Sequence, residues 1–405
     1  MSAAGPEPIA DTVRDEADRV AATVAGFLPP ALVPYFGPGF TRSHLLFDEY
    51  VYRLTLRVCV AAGLAAALAD WTTVAEAMAR ARLHAQASAV PVDWMLRHLA
   101  ARGALERSDD GTAPRFRAPE GLPPVDADTV LAAQRAHDPG CLPAYALAAT
   151  AARDYPAFLH GERSGEEILL SPTRLSLWTS YFSNDNALYA VNNRVGAAAL
   201  EAWMPRGPHT IVELGGGLGS GALAILEWLV AAGRLAEVQA YRFTELVPAF
   251  LRRAQRLAEG VPAVAGLSFA PLDMNRPFAE QGVEPQTASI VYAVNTLHVA
   301  HDLAFTLGEV RRTLRPGGQL IVSECVRPTP GQTLYPEFIF NLMATFRTPR
   351  LHPLYRPNGG FLRPEEWTAA LEAAGLVDVR VFPEIAWLRT VPIFCVAAIG
   401  GTRRG

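Results

Sequence analysis

Two acid–base side chains sit just beyond neighbouring apolar runs. His298 lies three residues past the end of SIVYAVN, and Glu324 closes QLIVSE. A carboxylate bonded to one imidazole nitrogen fixes the ring's tautomer, raises its basicity and leaves the other nitrogen to remove a proton. That work requires the two runs to be adjacent strands, so that both side chains emerge at one rim. A lone histidine is more often structural or solvated, and His301, one helical turn further on, reads that way. Glu324 is harder to leave idle, because an ionised carboxylate at the end of an apolar strand needs a partner to offset its desolvation.

A second constellation is suited to binding. TIVELGGGLGSGALAILEWL reads as an apolar strand, a turn carrying Gly215, Gly216, Gly217 and Gly219, and then a helix. Glycines let the backbone approach a ligand closely, and the helix start offers free N–H groups to a carboxylate. In dinucleotide sites the third glycine follows the second by three residues. Here Gly215, Gly217 and Gly219 are evenly spaced and preceded by Glu213, which favours S-adenosylmethionine over a dinucleotide. A merely structural strand-to-helix turn is the bland alternative. YRFTEL places Glu245, with Leu246 beside it, at the tip of the next strand, where a carboxylate accepts bonds from both ribose hydroxyls. The alternative for Glu245 is a helix-start carboxylate. LSFAPLDM puts Asp273 where it can accept from an adenine amine while Met274 packs on the ring, and Asn295 ends the following strand at the same rim. Asp273 taken alone is a turn residue.

The elements that must position these groups are strands alternating with helices after Pro205: His209–Leu214, Tyr241–Thr244, Leu267–Ala270, Ser289–Val294, Gln319–Glu324, Val377–Phe382 and Ile393–Ile399. That alternation predicts an α/β fold, a Rossmann-like seven-stranded parallel sheet covered on both faces, with ligands at the carboxyl ends of the strands. Residues 1–150 read as helical, over Val51–Ala69, Thr72–Ala85 and Pro91–Arg102. The last of these helices stops at Gly103 and is followed by a turn at Ser108–Gly111 and a short extended return, a winged-helix-like order. Residues 151–204 are expected to be a helical connector over the substrate pocket, with Tyr181 and Asn184 facing it, and 205–405 the cofactor-binding domain. The insertion Pro328–Pro357 is proline-punctuated, and the stretch Thr333–Phe361 reads as a substrate lid. Phe338, Phe340, Met343 and Phe346 are its apolar lining, and His352, Tyr355 and Asn358 its polar contacts. For the aromatics, core packing is the alternative.

Composition narrows the classes. The 405 residues are 50% apolar with a formal charge of −4, which fits folded domains and supplies no general field for nucleic acid. The helix before the expected hairpin carries only Arg97, His98 and Arg102 among apolar residues, a poor reader of DNA. The 4 cysteines lie far apart, without zinc-site spacing, and no cluster of acidic and histidine residues calls for a metal. The sequence has no lysine, which excludes a pyridoxal-phosphate Schiff base and a P-loop lysine. Neither a membrane-spanning apolar run nor a secretion signal is evident, and a cytoplasmic protein is expected.

From about Tyr155 onward the chain resembles the carbon-methyltransferase domains of polyketide synthases, within the class I SAM-dependent methyltransferases. The shared run is DYPAFLHGERSGEEILL, VELGGGLGSG, YRFTEL, LDMNRPFAEQG, NTLHVAHDLAFTLGEVRRTLRPGG and LIVSE, in that order. The resemblance implies that His298 and Glu324 form the deprotonating dyad. The N-terminal part is similar to the winged-helix dimerisation domain of small-molecule O-methyltransferases, implying a homodimer. Leu218 stands where the synthase domains have a small hydroxyl residue, and Glu245 where they have aspartate. The expectation is C-methylation of a small polyketide-like or aromatic molecule, free or tethered to a carrier protein, at an acidic carbon next to a carbonyl. O-methylation of a phenol or enol and a non-methylating SAM-binding cyclase are the rivals.

Overall fold

The computed structural model describes residues 9–259, 264, 266–384, 391 and 395–405. They fall into two compact units: one takes in Pro38–Tyr181 and Gly331–Arg347 with the chain up to Ala21, the other Ala22–Gly37, Phe182–Pro330 and Thr348–Gly405.

In the first unit the helices Pro38–Ala61 and Leu142–Leu159 pack through Phe47, Tyr50 and Tyr145, whose ring centroids are 4.6 to 6.4 Å apart. The helix expected to run to Ala69 breaks at Gly63 (φ +78°) and resumes over Leu64–Ala67. Thr72 and Thr73, expected to be helical, form a two-residue strand β1 (Thr72–Thr73). Thr73 is a β-branched residue, and its hydroxyl accepts the Glu76 N–H while Glu76 Oε2 accepts the Thr73 N–H. This capping box delays the helix to Val74–Arg80. The helix Ala85–Ala101 then leads into β2 (Glu106–Ser108) and β3 (Arg115–Arg117), giving a small sheet of order β1-β3-β2.

The expected lid is divided: Gly331–Arg347 belongs to this unit, and the rest of the lid from Thr348 onward to the other. Glu337 accepts the Trp94 indole N–H at 2.9 Å, Tyr335 packs edge-on against Phe47 at 5.1 Å, and Phe338 lies 5.1 Å from Tyr155. Phe338, Ile339 and Leu342 are fully buried.

The second unit is built on β4 (His209–Leu214), β5 (Val238–Thr244), β6 (Leu267–Ala270), β7 (Ala288–Val294), β8 (Leu314–Cys325), β9 (Leu376–Phe382) and β10 (Val396–Arg403). Their order is β6-β5-β4-β7-β8-β10-β9. Burial follows this order. All seven residues of central β7 are buried, as a strand covered on both faces requires, whereas edge strands β6 and β9 are only partly covered. One departure from the all-parallel expectation is β10, which runs antiparallel to both β8 and β9. Of the last expected strand, Ile393 and Phe394 lie outside the described residues.

The helix Ala187–Trp203 belongs to this unit, which takes up the chain again from Phe182. Gly196 accounts for its close packing on the sheet. A Cβ there would lie 2.2 Å from the Tyr292 hydroxyl and 2.9 Å from Ser323 Cβ. Among the described residues no helix is long and apolar enough to cross a membrane.

Candidate active site

The turn after β4 places backbone where side chains would otherwise stand. Gly215 (φ +57°), Gly217 (φ +59°) and Gly219 (φ +93°) all take the left-handed conformation. Gly215 backs onto Thr296, whose Oγ1 would be 2.2 Å from a Cβ, whereas Gly217 has no atom within 4 Å of that position. The turn is thus packed on one side and open at Gly217. Behind it, Glu213 is 1% exposed and accepts the Tyr241 hydroxyl at 2.8 Å. Burial, opposed by the Tyr241 bond and reinforced by Glu245, pushes the Glu213 carboxyl up to about 8. Such a group is suited to receiving a ligand's cation, which would restore its charge.

Glu245 is buried at the tip of β5. Its Oε2 accepts the Gly217 N–H at 2.9 Å and its Oε1 the Val247 N–H at 2.7 Å. Burial raises its pKa, and the Val247, Gly217 and Leu246 amides oppose the shift. Each oxygen retains acceptor capacity for a hydroxyl. Leu246 beside it is 56% exposed, an apolar surface at the rim. Asp273 is half-buried, with Oδ1 accepting from the Asn275 N–H and amide at 2.9 and 3.1 Å. Met274 is half-buried too, with its carbonyl held by Thr306 Oγ1 at 3.0 Å. Together these residues fit a nucleoside with a cationic tail: an open backbone turn, a carboxylate at the tip of β5, another in the loop after β6, and a buried carboxyl with no cationic partner among the described residues.

Parallel pairing of β7 with β8 brings His298 and Glu324 together. Asn295 turns the chain out of β7 (φ +46°), its amide oxygen accepting the Cys325 N–H at 2.9 Å and its own N–H donating to Ser323 O at 2.8 Å. The short helical turn Leu297–Val299 follows. Glu324 is fully buried, and its Oε1 accepts the Thr296, Leu297 and His298 N–H groups at 3.2, 2.9 and 3.4 Å. Its Oε2 lies 2.6 Å from Nδ1 of His298, a residue that is 4% exposed. With Nδ1–H donating to the carboxylate, Nε2 becomes the basic nitrogen. The Phe361 ring packs on the imidazole at 4.7 Å. His301 is exposed.

The expected substrate contacts are placed variously. In the first unit Tyr181 is buried edge-on against Trp178 at 5.9 Å, Phe338 is fully buried, and Met343 is half-buried. In the second, Asn184 donates to Ser220 O at 2.9 Å and accepts from Asn193 at 2.8 Å, bracing the start of the helix after the glycine turn. His352 and Tyr355 stack on each other at 3.9 Å, and Asn358 is exposed. Tyr189 did not stand out from its helical context. Its phenol pKa is raised first by burial and then by Glu213, Cys325, Glu245 and Glu324, which puts it within the field of both the turn and the acid–base pair.

The fold is similar to that of the CurJ carbon methyltransferase, with a TM-score of 0.73 at 20% identity over 98% of this chain and 99% of that one. It is also similar to the trans-methyltransferase CalH solved in complex with SAH, with a TM-score of 0.59 at 19% identity over 89% and 91% of the two chains. The family model described as a methyltransferase domain matches residues 215–322, from the glycine turn into β8. The chain carries a methyltransferase domain. The chain's sequence is similar to that of polyketide synthase ThaG of Burkholderia thailandensis, 29% identical over 325 residues, which cover 78% of this chain and 5% of the synthase. The first three synthases matched are spanned by this chain over only 10%, 6% and 5% of their length.

Proposed function

We propose that this methyltransferase domain methylates an acidic carbon next to a carbonyl in a polyketide-like acyl chain, with His298 as the base and Glu324 as its orienting carboxylate. The observation that carries this reading is the buried 2.6 Å contact between His298 Nδ1 and Glu324 Oε2 at the carboxyl rim of β7 and β8. Bound S-adenosylmethionine supplies an electrophilic methyl group. Glu213 and the turn Gly215, Gly217, Gly219 hold its amino-acid end, Glu245 the ribose, and Leu246, Asp273 and Met274 the adenine, with Asn295 at the rim. His298 Nε2 takes the proton from the accepting carbon, and the Glu324 carboxylate stabilises the imidazolium that results. Alignment of the reacting groups is worth up to about 7–11 kcal/mol, and a positioned base about 100- to 10,000-fold in rate.

The likeness to polyketide synthases and to a carbon methyltransferase supports carbon as the acceptor and a thioester-borne acyl chain, free or on a carrier protein, as the substrate. A homodimer through the first unit belongs to the same reading. It is supported by the winged-helix-like order of helix Ala85–Ala101, β2 and β3, and sedimentation velocity tests it. The chemical test supplies S-adenosylmethionine labelled with 13C in its methyl group and the N-acetylcysteamine thioester of 3-oxobutanoate. NMR should find the label on the carbon between the two carbonyls. Label on oxygen would establish O-methylation instead, and no transfer would count against the reading.

A further inference from the structure

Arg356 is fully buried and among the largest side chains so enclosed. Removing a guanidinium from water is costly unless its donors are matched. Among the described residues its donors go to backbone: Nη1 to Ala300 O at 2.8 Å and Nη2 to His298 O, while Nε has no partner. Both carbonyls lie at the C-terminal end of the Leu297–Val299 turn, which carries the base. Its N-terminal amides, including that of His298, are already taken by Glu324 Oε1. The His298 backbone is therefore held at its N–H by the carboxylate and at its C=O by the guanidinium, while its ring is bound by the carboxylate's other oxygen.

Arg356 is itself anchored. Its backbone pairs with His352 through two 2.9 Å hydrogen bonds, and the flanking His352 and Tyr355 rings stack. In the same segment the Arg350 N–H donates to His301 O at 2.6 Å and its guanidinium pairs with Asp302 at 2.7 Å. Burial pushes the Arg356 guanidinium down to about 10, against the fields of Glu324 and Asp302, so the cation persists at neutral pH. A hydrophobic side chain of similar volume would fill this space without the desolvation cost, so the charge calls for an explanation.

We propose that Arg356 is the positioning residue of the acid–base pair: by clamping the carbonyls of His298 and Ala300 it sets the turn so that the imidazole meets Glu324. This inference rests on the proposed role of His298. The test compares Arg356→Met, Arg356→Lys and His298→Ala with the unaltered chain. It reads the far-downfield imidazole N–H proton by NMR, S-adenosylhomocysteine affinity by calorimetry, and turnover on the 3-oxobutanoyl thioester. The downfield proton is assigned by its absence in His298→Ala. Arg356→Met should lose or shift that proton and lower kcat at least about tenfold, with affinity for S-adenosylhomocysteine within about twofold. In a His298→Ala background it should cause no further loss of turnover.

A solely architectural arginine would lower the melting temperature but leave the proton and kcat per folded molecule unchanged, and that result overturns the proposal. If Arg356→Met does not fold, Arg356→Lys decides. A shifted proton with kcat lowered at least about threefold supports the clamp, whereas values matching the unaltered chain refute it. Should His298→Ala retain full turnover, the assignment of the base fails, and the position of the imidazole proton in the Arg356 variants still reports whether the clamp exists.

Discussion

At His298 the assignment of the base makes a kinetic demand. His298→Ala should lower turnover at least about 100-fold with S-adenosylhomocysteine affinity unchanged, as expected for a removed general base; equal turnover in a single-turnover assay would contradict it. Glu213 titrates in the opposite sense from an ordinary paired carboxylate. Burial pushes it up to about 8, above the roughly 4.3 of an unfolded glutamate, so the folded chain retains a proton that the unfolded chain has lost. Its contribution to stability is therefore greatest at low pH and is lost as pH rises towards 8. Thermal melts at pH 6 and pH 8 should show this fall, and Glu213→Gln should flatten it. If Glu213 receives the ligand's cationic end, binding below pH 8 releases a proton. Affinity then climbs with pH by at most about tenfold per unit and levels off near 8, which calorimetry in two buffers measures. His298, Glu324 and the glycines were legible because each sits at the end of an apolar strand. Arg356 was not: nothing in its immediate sequence shows that it folds back onto a turn almost sixty residues earlier, and arginine ordinarily lies at the surface.

The glycine turn and the helix Ala187–Trp203 illustrate two ways in which an element depends on a missing side chain. Gly217 needs a positive φ and leaves open space beside it, so Gly217→Val should cost about 1–2 kcal/mol of stability and weaken S-adenosylhomocysteine binding at least tenfold. Gly196→Leu should act on packing alone, lowering stability by about 1–3 kcal/mol in denaturant melts as the helix is forced off Tyr292 and Ser323. The central strands of the large sheet could be read closely because a strand buried on both faces is a continuous apolar run, and β4 has the expected bounds. The direction of β10 could not, since a terminal strand returning through a hairpin has the same composition as one arriving by a crossover. Thr72–Thr73 escaped because two residues are too short to show alternation.

At the scale of the whole chain, the two-part organisation was visible as a change from helical to alternating patterning near residue 205. Which unit each connecting segment packs into was not. The helix Ala187–Trp203 goes with the sheet and Gly331–Arg347 with the helical unit, because an apolar aromatic helix looks the same whether it lines a pocket or fills a core. Phe338 shows the consequence: expected to line a pocket, it is enclosed by Tyr155 and Trp94. One titration reaches the claim on which the remaining chemistry depends, S-adenosylhomocysteine added to the unaltered chain, to Gly217→Val and to His298→Ala in a calorimeter. The expected result is one site per chain, lost or strongly weakened in Gly217→Val and undiminished in His298→Ala. The absence of binding heat from folded, unaltered protein would contradict a cofactor site at the carboxyl rim of the sheet.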